Sequence, residues 1–163
     1  MTLALVIVLA VSLLFGFVVF FGPPYLPTLR GNMNAALDLL ELKPGQTMLD
    51  LGSGDGRVLV AAAKRGITVV GIELSPVLCV ISWLRTRRYR KRVRIIWGNY
   101  FMATWPPADA IFTFMIPRQM PNLDRHIEQW RGKKAVRLAS FAFAVPGKRV
   151  VATRKGVFLY EYK

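Results

Sequence analysis

Residues 48–57 read Met-Leu-Asp-Leu-Gly-Ser-Gly-Asp-Gly-Arg, and this stretch constrains the fold more than any other. A short apolar run ends on Asp50, glycines follow at 52, 54 and 56, and an apolar helical pattern begins at Val58. Strand, tight glycine loop and helix make the first half of a nucleotide-type βαβ unit. Glycine is needed where the backbone turns sharply and a ligand comes close without a Cβ in the way.

The second half follows in order. Residues 58–65 read as a helix with Gly66 as its C-cap. Residues 68–72 form a β-branched run of the buried, parallel type and end on Glu73. A right-handed crossover places Glu73 beside the glycine loop, where its carboxylate can accept hydrogen bonds from both hydroxyls of a ribose. An adenosine-type ligand is implied.

The loop chemistry narrows the choice. The dinucleotide fingerprint G-x-G-x-x-G would need its third glycine at Arg57, and no G-x-x-x-x-G-K-[ST] occurs. Asp50 and Asp55 on either side of the loop would repel a pyrophosphate and attract a cation. S-adenosyl-L-methionine fits, with a positive amino group and sulfonium, and a carboxylate suited to a helix N-terminus. The run Leu49-Asp-Leu-Gly-Ser-Gly-Asp-Gly56, with Glu73 after the next strand, resembles class I methyltransferases. The resemblance implies an α/β Rossmann-like sheet, mostly parallel with an antiparallel C-terminal hairpin strand and helices on both faces. It also implies cofactor binding by Asp50, Gly52, Ser53, Gly54, Asp55, Gly56, Glu73, Leu74 and Asn99. Asn99 stands where that class usually holds an aspartate against the adenine amino group, and its carbonyl can accept the same bond.

The remaining pattern completes such a sheet. Pro76 starts a helix, in which Cys79 reads as a small packing residue. Strands are expected over residues 93–97, 108–114 and 134–141, with a closing hairpin of residues 148–153 and 156–162 around Arg154-Lys155-Gly156. Met120, Leu123, Ile127 and Trp130 recur at helical spacing as core. Asp109 falls at the far end of its strand from the ligand and reads as structural. Met115, Ile116 and Pro117 lie at that strand's outlet, where a methyl acceptor is held. They lack the N/D-P-P-Y pattern common in nucleic-acid amino-methyltransferases.

The N-terminus is of a different kind. Residues 3–21 are apolar apart from Ser12 and small residues, and as a helix would span roughly 30 Å, a bilayer's hydrocarbon thickness. Gly22-Pro23-Pro24 ends the run. No basic region precedes it and no small-x-small cleavage site follows, so a retained anchor is expected over a signal peptide. The cations that follow place the body on the cytoplasmic side by the positive-inside bias. The expected organisation is an anchor over 1–22, a linker and N-terminal helix over 23–45, and a methyltransferase domain over 46–163. Thr28 could cap that helix, which residues 43–45 would end.

Charge and composition bound the partners. The chain carries a net charge of +14, and Arg85, Arg87, Arg88, Arg90, Lys91, Arg92 and Arg94 are crowded into one run. Anionic partners follow, either lipid headgroups or nucleic acid. As a headgroup patch beside an anchor, each cation contributes about 1 kcal/mol. As a solvated helix end, the run suits the helix dipole. One cysteine excludes an intrachain disulfide, and the single histidine, His126, leaves little for metal or triad chemistry.

A narrower resemblance rests on Pro24-Tyr-Leu-Pro-Thr28, the loop, Ala61-Ala-Ala-Lys-Arg-Gly66, Gly71-Ile-Glu-Leu-Ser-Pro76, Phe114-Met-Ile-Pro117 and Phe141-Ala-Phe143. In this order and spacing they are similar to small membrane-anchored protein-lysine methyltransferases. The eukaryotic members of that family act in mitochondria, on the c subunit of ATP synthase and the adenine nucleotide translocase. Ala142 and Ser140 depart from the proline and arginine usual there. The resemblance implies a lysine acceptor in a membrane protein, a single-pass location, and a channel shaped by Tyr25, Thr28 and Met115–Pro117. An RNA, small-molecule or lipid acceptor is the rival reading, and a non-enzymatic cofactor-binding membrane protein is another.

Overall fold

The computed structural model describes residues 4–6, 8, 9, 12 and 30–163. Of the expected anchor, Ala4, Leu5, Val6, Val8, Leu9 and Ser12 are helical and exposed, and the rest falls outside the described residues, as do Tyr25 and Thr28. Among the described residues no helix is long and apolar enough to cross a membrane.

The domain is a seven-stranded sheet. In chain order the elements are α1 (Arg30–Leu40), β1 (Thr47–Leu51), α2 (Arg57–Lys64), β2 (Thr68–Glu73), α3 (Pro76–Thr86), β3 (Val93–Trp97) and β4 (Ala110–Thr113). Helix α4 (Met120–Arg131), β5 (Val136–Phe141), β6 (Ala152–Arg154) and β7 (Val157–Tyr162) complete it. The strand order is β3-β2-β1-β4-β5-β7-β6, parallel from β3 to β5, with β7 antiparallel to both β5 and β6. Between β1 and β4 the order reverses, and ligands of open α/β sheets bind at the carboxyl ends of the strands there.

Period-two alternation sorts the strand residues between two cores. Met48, Val69, Ala110, Phe112 and Ala139 pack with Met33, Leu37 and Leu40 of α1 and Leu59 and Ala62 of α2. Leu49, Leu51, Ile111 and Leu138 pack on the other face with Met120, Leu123 and Ile127 of α4. Helices therefore cover both faces, as the sequence implies.

Boundaries moved for local reasons. Helix α1 stops at Leu40, earlier than residues 43–45, because Glu41 takes a left-handed conformation (φ 50°). Strand β6 starts at Ala152 rather than at residue 148. Lys148 is drawn to α4 instead, 2.8 Å from Asp124 and 3.0 Å from Glu128. The hairpin turn is where expected, with Lys155 (φ 48°) and Gly156 (φ 72°) both left-handed, the type I′ geometry that matches strand twist. Asp109 sits at the opposite edge from the strands' outlets. It accepts the Thr47 amide at 2.8 Å and pairs with Lys134 at 3.0 Å, which makes it structural.

Candidate active site

Strand β1 delivers Asp50 to its carboxyl end, and the loop then folds back onto β2. The Gly52 and Ser53 amides both donate to the Ile72 carbonyl, at 2.9 and 3.2 Å. Glu73 completes the tie: Oε2 accepts the Gly54 amide and Oε1 the Ser75 amide, both at 2.8 Å. These amides are engaged within the protein, so the loop is not a phosphate cradle. Each Glu73 oxygen keeps a second lone pair for a ligand hydroxyl.

Two close approaches explain why glycine stands at positions 71 and 56. A Cβ on Gly71 would lie 2.7 Å from the Ser53 Cβ and 2.9 Å from Leu59 Cδ1. Gly56 is left-handed (φ 78°), and a Cβ there would collide with the Ser82 hydroxyl of α3. The loop is thus pressed against β2 on one side and α3 on the other.

The electrostatics are concentrated on Asp50. Its side chain is 2% exposed and its Oδ2 has no hydrogen-bond partner. Burial, reinforced by the negative charges of Glu73 and Asp55, pushes its pKa up to about 8. A buried carboxylate oxygen without a donor calls for a cationic or hydrogen-bonding group. Ser53 is also buried with an unpartnered hydroxyl.

Asp55 is ion-paired with Arg57 at 2.7 Å and with Arg85 of α3. Asp50 and Glu73 lie toward the carboxyl ends of the adjacent strands β1 and β2. Arg85, read as part of a surface run, is bound to the loop instead, and also donates to the Asp55 carbonyl at 2.8 Å.

Asn99 is exposed beyond β3, and its Oδ1 accepts the Phe101 amide at 2.9 Å, closing its own turn. The Leu74 carbonyl accepts from the Trp97 indole at 3.0 Å. Cys79 lies on α3 with its thiol directed at the Glu73 carbonyl, and burial pushes its pKa up to about 11, which suits packing and not nucleophilic chemistry. His126 is half-buried against Trp105, ring centres 4.4 Å apart.

At the outlet of β4 the three expected residues divide. Met115 is 2% exposed and points into the core, Ile116 is half-buried, and Pro117 is exposed at the start of a single 3-10 turn. The wall of the outlet is aromatic. Phe114 meets Phe141 edge-on at 4.7 Å and Phe143 nearly parallel at 6.3 Å. Ala142 between them is left-handed (φ 68°), and the Ser140 hydroxyl donates to the Phe143 carbonyl at 2.7 Å, which sets the position of the third ring. These rings belong to the Phe-x-x-Pro and Phe-x-Phe segments, yet their convergence needs the β4–β5 pairing to be seen. Among the described residues, no cluster of His, Cys, Asp and Glu is arranged to hold a metal ion.

This strand order and loop direct attention to known methyltransferases. Residues 50–152 match the ANTKMT methyltransferase domain. The chain belongs to that family. A relative in Xenopus laevis, the lysine N-methyltransferase of the ATP synthase c subunit, is 32% identical over 127 residues, covering 76% of this chain and 54% of its own length. A protein-lysine N-methyltransferase of Saccharolobus islandicus is 26% identical over 149 residues, 84% of this chain and 92% of the other. In structure, the chain resembles an RNA methyltransferase of Salinibacter ruber in complex with S-adenosyl-L-homocysteine, with TM-score 0.74 at 22% identity over 84% of this chain and 92% of that one. The chain spans about half the length of the ATP synthase lysine methyltransferases it matches. The fold is the class I methyltransferase fold. Its donor set suits S-adenosyl-L-methionine, because the orphaned Asp50 oxygen matches a cationic amino group and Glu73 has acceptors left for ribose hydroxyls.

Proposed function

We propose that this chain is an S-adenosyl-L-methionine-dependent protein-lysine N-methyltransferase acting on a membrane-associated protein. The observation that carries the reading is the cluster of Phe114, Phe141 and Phe143 at the carboxyl ends of β4 and β5, with β4 paired to the strand that leads into the acidic loop, supported by the lysine methyltransferases among its relatives. When bound, the cofactor supplies an electrophilic methyl group on a sulfonium. The chain's residues do the rest by placement. Asp50 would hold the cofactor's amino group and Glu73 its ribose, with Gly52, Ser53, Gly54 and Gly56 forming the loop beneath. Leu74 and Asn99 would border the adenine, and Asp55 would act through Arg57 and Arg85 to hold the loop. Ile116 and Pro117, with Tyr25 and Thr28 from the linker, would shape the approach of the acceptor.

A lysine amine has a reference pKa near 10.4 and must lose its proton before it attacks. An apolar wall disfavours the ammonium form, so desolvation at the three rings assists that loss without a dedicated base. In-line positioning then supplies most of the acceleration. An N-terminal helix over 1–22, in a single pass with the domain on the cytoplasmic side, or in a mitochondrial membrane of a eukaryote, would raise the effective concentration of a membrane-embedded acceptor.

The net charge of +14 and the basic run favour an RNA acceptor as the second reading. Incubating membranes with methyl-labelled cofactor and the full chain, then separating protein, RNA and lipid, distinguishes them. Label in protein, recovered as methyl-lysine, is expected. Label confined to RNA or lipid overturns the reading, and cofactor binding without transfer leaves the non-enzymatic one.

A further inference from the structure

Helix α3 is built inside out. Its packed face holds Ser82 and Thr86, buried at 0% and 4% exposure, because the close approach of Gly56 admits only a small residue. Its outward face carries Val77, Val80, Ile81 and Leu84, spaced as one helical stripe, each between 39% and 59% exposed. Trp83 joins them, and Trp97 of the edge strand β3 lies beside the start of the helix, tied to the Leu74 carbonyl and 69% exposed. Isolated apolar side chains on a surface are ordinary, whereas a contiguous stripe with two indoles marks a contact surface.

The surroundings of the stripe select its partner. The helix runs directly into Arg87, Arg88, Arg90, Lys91, Arg92 and Arg94, and the Arg90 guanidinium lies 4.9 Å from the Trp83 ring centre. From Leu74 to Ala108 there is no acidic residue. Apolar residues with tryptophans, bordered by cations, are the composition of helices that lie in the interface of an anionic bilayer. A second copy of a chain with net charge +14 would meet the same cations across the contact, which opposes self-association through this face.

We infer that α3 and Trp97 form a docking face for an anionic lipid surface, the apolar stripe entering the acyl boundary and the following cations binding headgroup phosphates. Helix α3 begins shortly beyond Glu73, so this contact fixes the β3 edge and the cofactor loop relative to the bilayer plane. That membrane contact is separate from residues 1–22 and independent of the acceptor's identity.

The full chain incorporated into vesicles tests this, with tryptophan fluorescence read against mid-chain brominated phosphatidylcholine, with and without phosphatidylglycerol. Trp105, buried, and Trp130, half-buried and bonded to the Trp105 carbonyl, are internal controls. Bromolipid quenching is expected in vesicles containing phosphatidylglycerol, with loss of the quenched component in Trp83→Phe/Trp97→Phe and in Val80→Glu/Leu84→Glu. Unchanged cofactor binding checks that both variants are folded. No quenching in anionic vesicles overturns the docking face, and quenching indifferent to phosphatidylglycerol overturns its anionic recognition. Protection of the indoles from both bromolipid and aqueous iodide means that protein covers the stripe, which also overturns it. That cover is a second copy if it is lost on dilution and the chain's own N-terminal segment if it persists.

Discussion

Replacing Asp50 by asparagine removes the charge that would hold the cofactor's amino group while keeping the shape of the side chain. In the folded chain Asp50 holds its proton up to about 8, against an ordinary value of 3.8. A cationic amino group binds the ionised form, so protonation competes with the ligand below that value. Apparent affinity should fall about tenfold for each pH unit below it, about a hundredfold over two units, or about 2.7 kcal/mol. Stability runs in the opposite direction to affinity. Between the two pKa values the unfolded chain holds fewer protons than the folded one, so stability without ligand falls as pH rises through the window. Asp50→Asn should abolish the slope in both quantities and be relatively more stable at the alkaline end. Calorimetric titration with S-adenosyl-L-homocysteine across pH, wild type against variant, measures the first effect, and denaturant midpoints measure the second. Parallel pH profiles for the two proteins would refute the placement of the ammonium on Asp50.

Further outcomes follow from single contacts. Glu73→Ala releases the Gly54 and Ser75 amides and removes the ribose acceptor, so cofactor affinity should drop at least tenfold and stability by about 1–3 kcal/mol; unchanged affinity by titration would remove the residue from the site. Tyr160→Phe deprives the buried Val145 amide of its acceptor at 2.8 Å and should cost about 1–3 kcal/mol in denaturant unfolding with cofactor affinity intact. Gly56→Ala adds a clash with Ser82 to a left-handed backbone and should weaken both stability and binding; Ser82→Gly in the same chain should recover part of the loss, and no recovery would show that backbone strain alone sets it.

The glycine loop, β1, β2 and Glu73 were legible because each is local: a period-two run, a turn needing glycine and an acid at the strand's end. Residues 93–97 coincide with β3 for the same reason. Tertiary partners were not legible. Asp55 and Arg85 are far apart in sequence, so the ion pair that joins α3 to the loop is not visible there. The stripe Val77, Val80, Ile81 and Leu84 has the spacing of a core face, yet it faces outward because the loop claims the side of α3 bearing Ser82. Met115 and Phe114 alternate across β4's end, and only the sheet shows that the methionine goes inward while the phenylalanine joins Phe141 and Phe143.

A structure of the full chain with S-adenosyl-L-homocysteine and a lysine peptide decides where cofactor and acceptor sit. The amino group of the ligand is expected on Asp50, the ribose hydroxyls on Glu73, and the lysine amine among Phe114, Phe141 and Phe143, in line with the sulfur. A ligand amino group remote from Asp50, or a peptide lysine seated away from those rings, would contradict it.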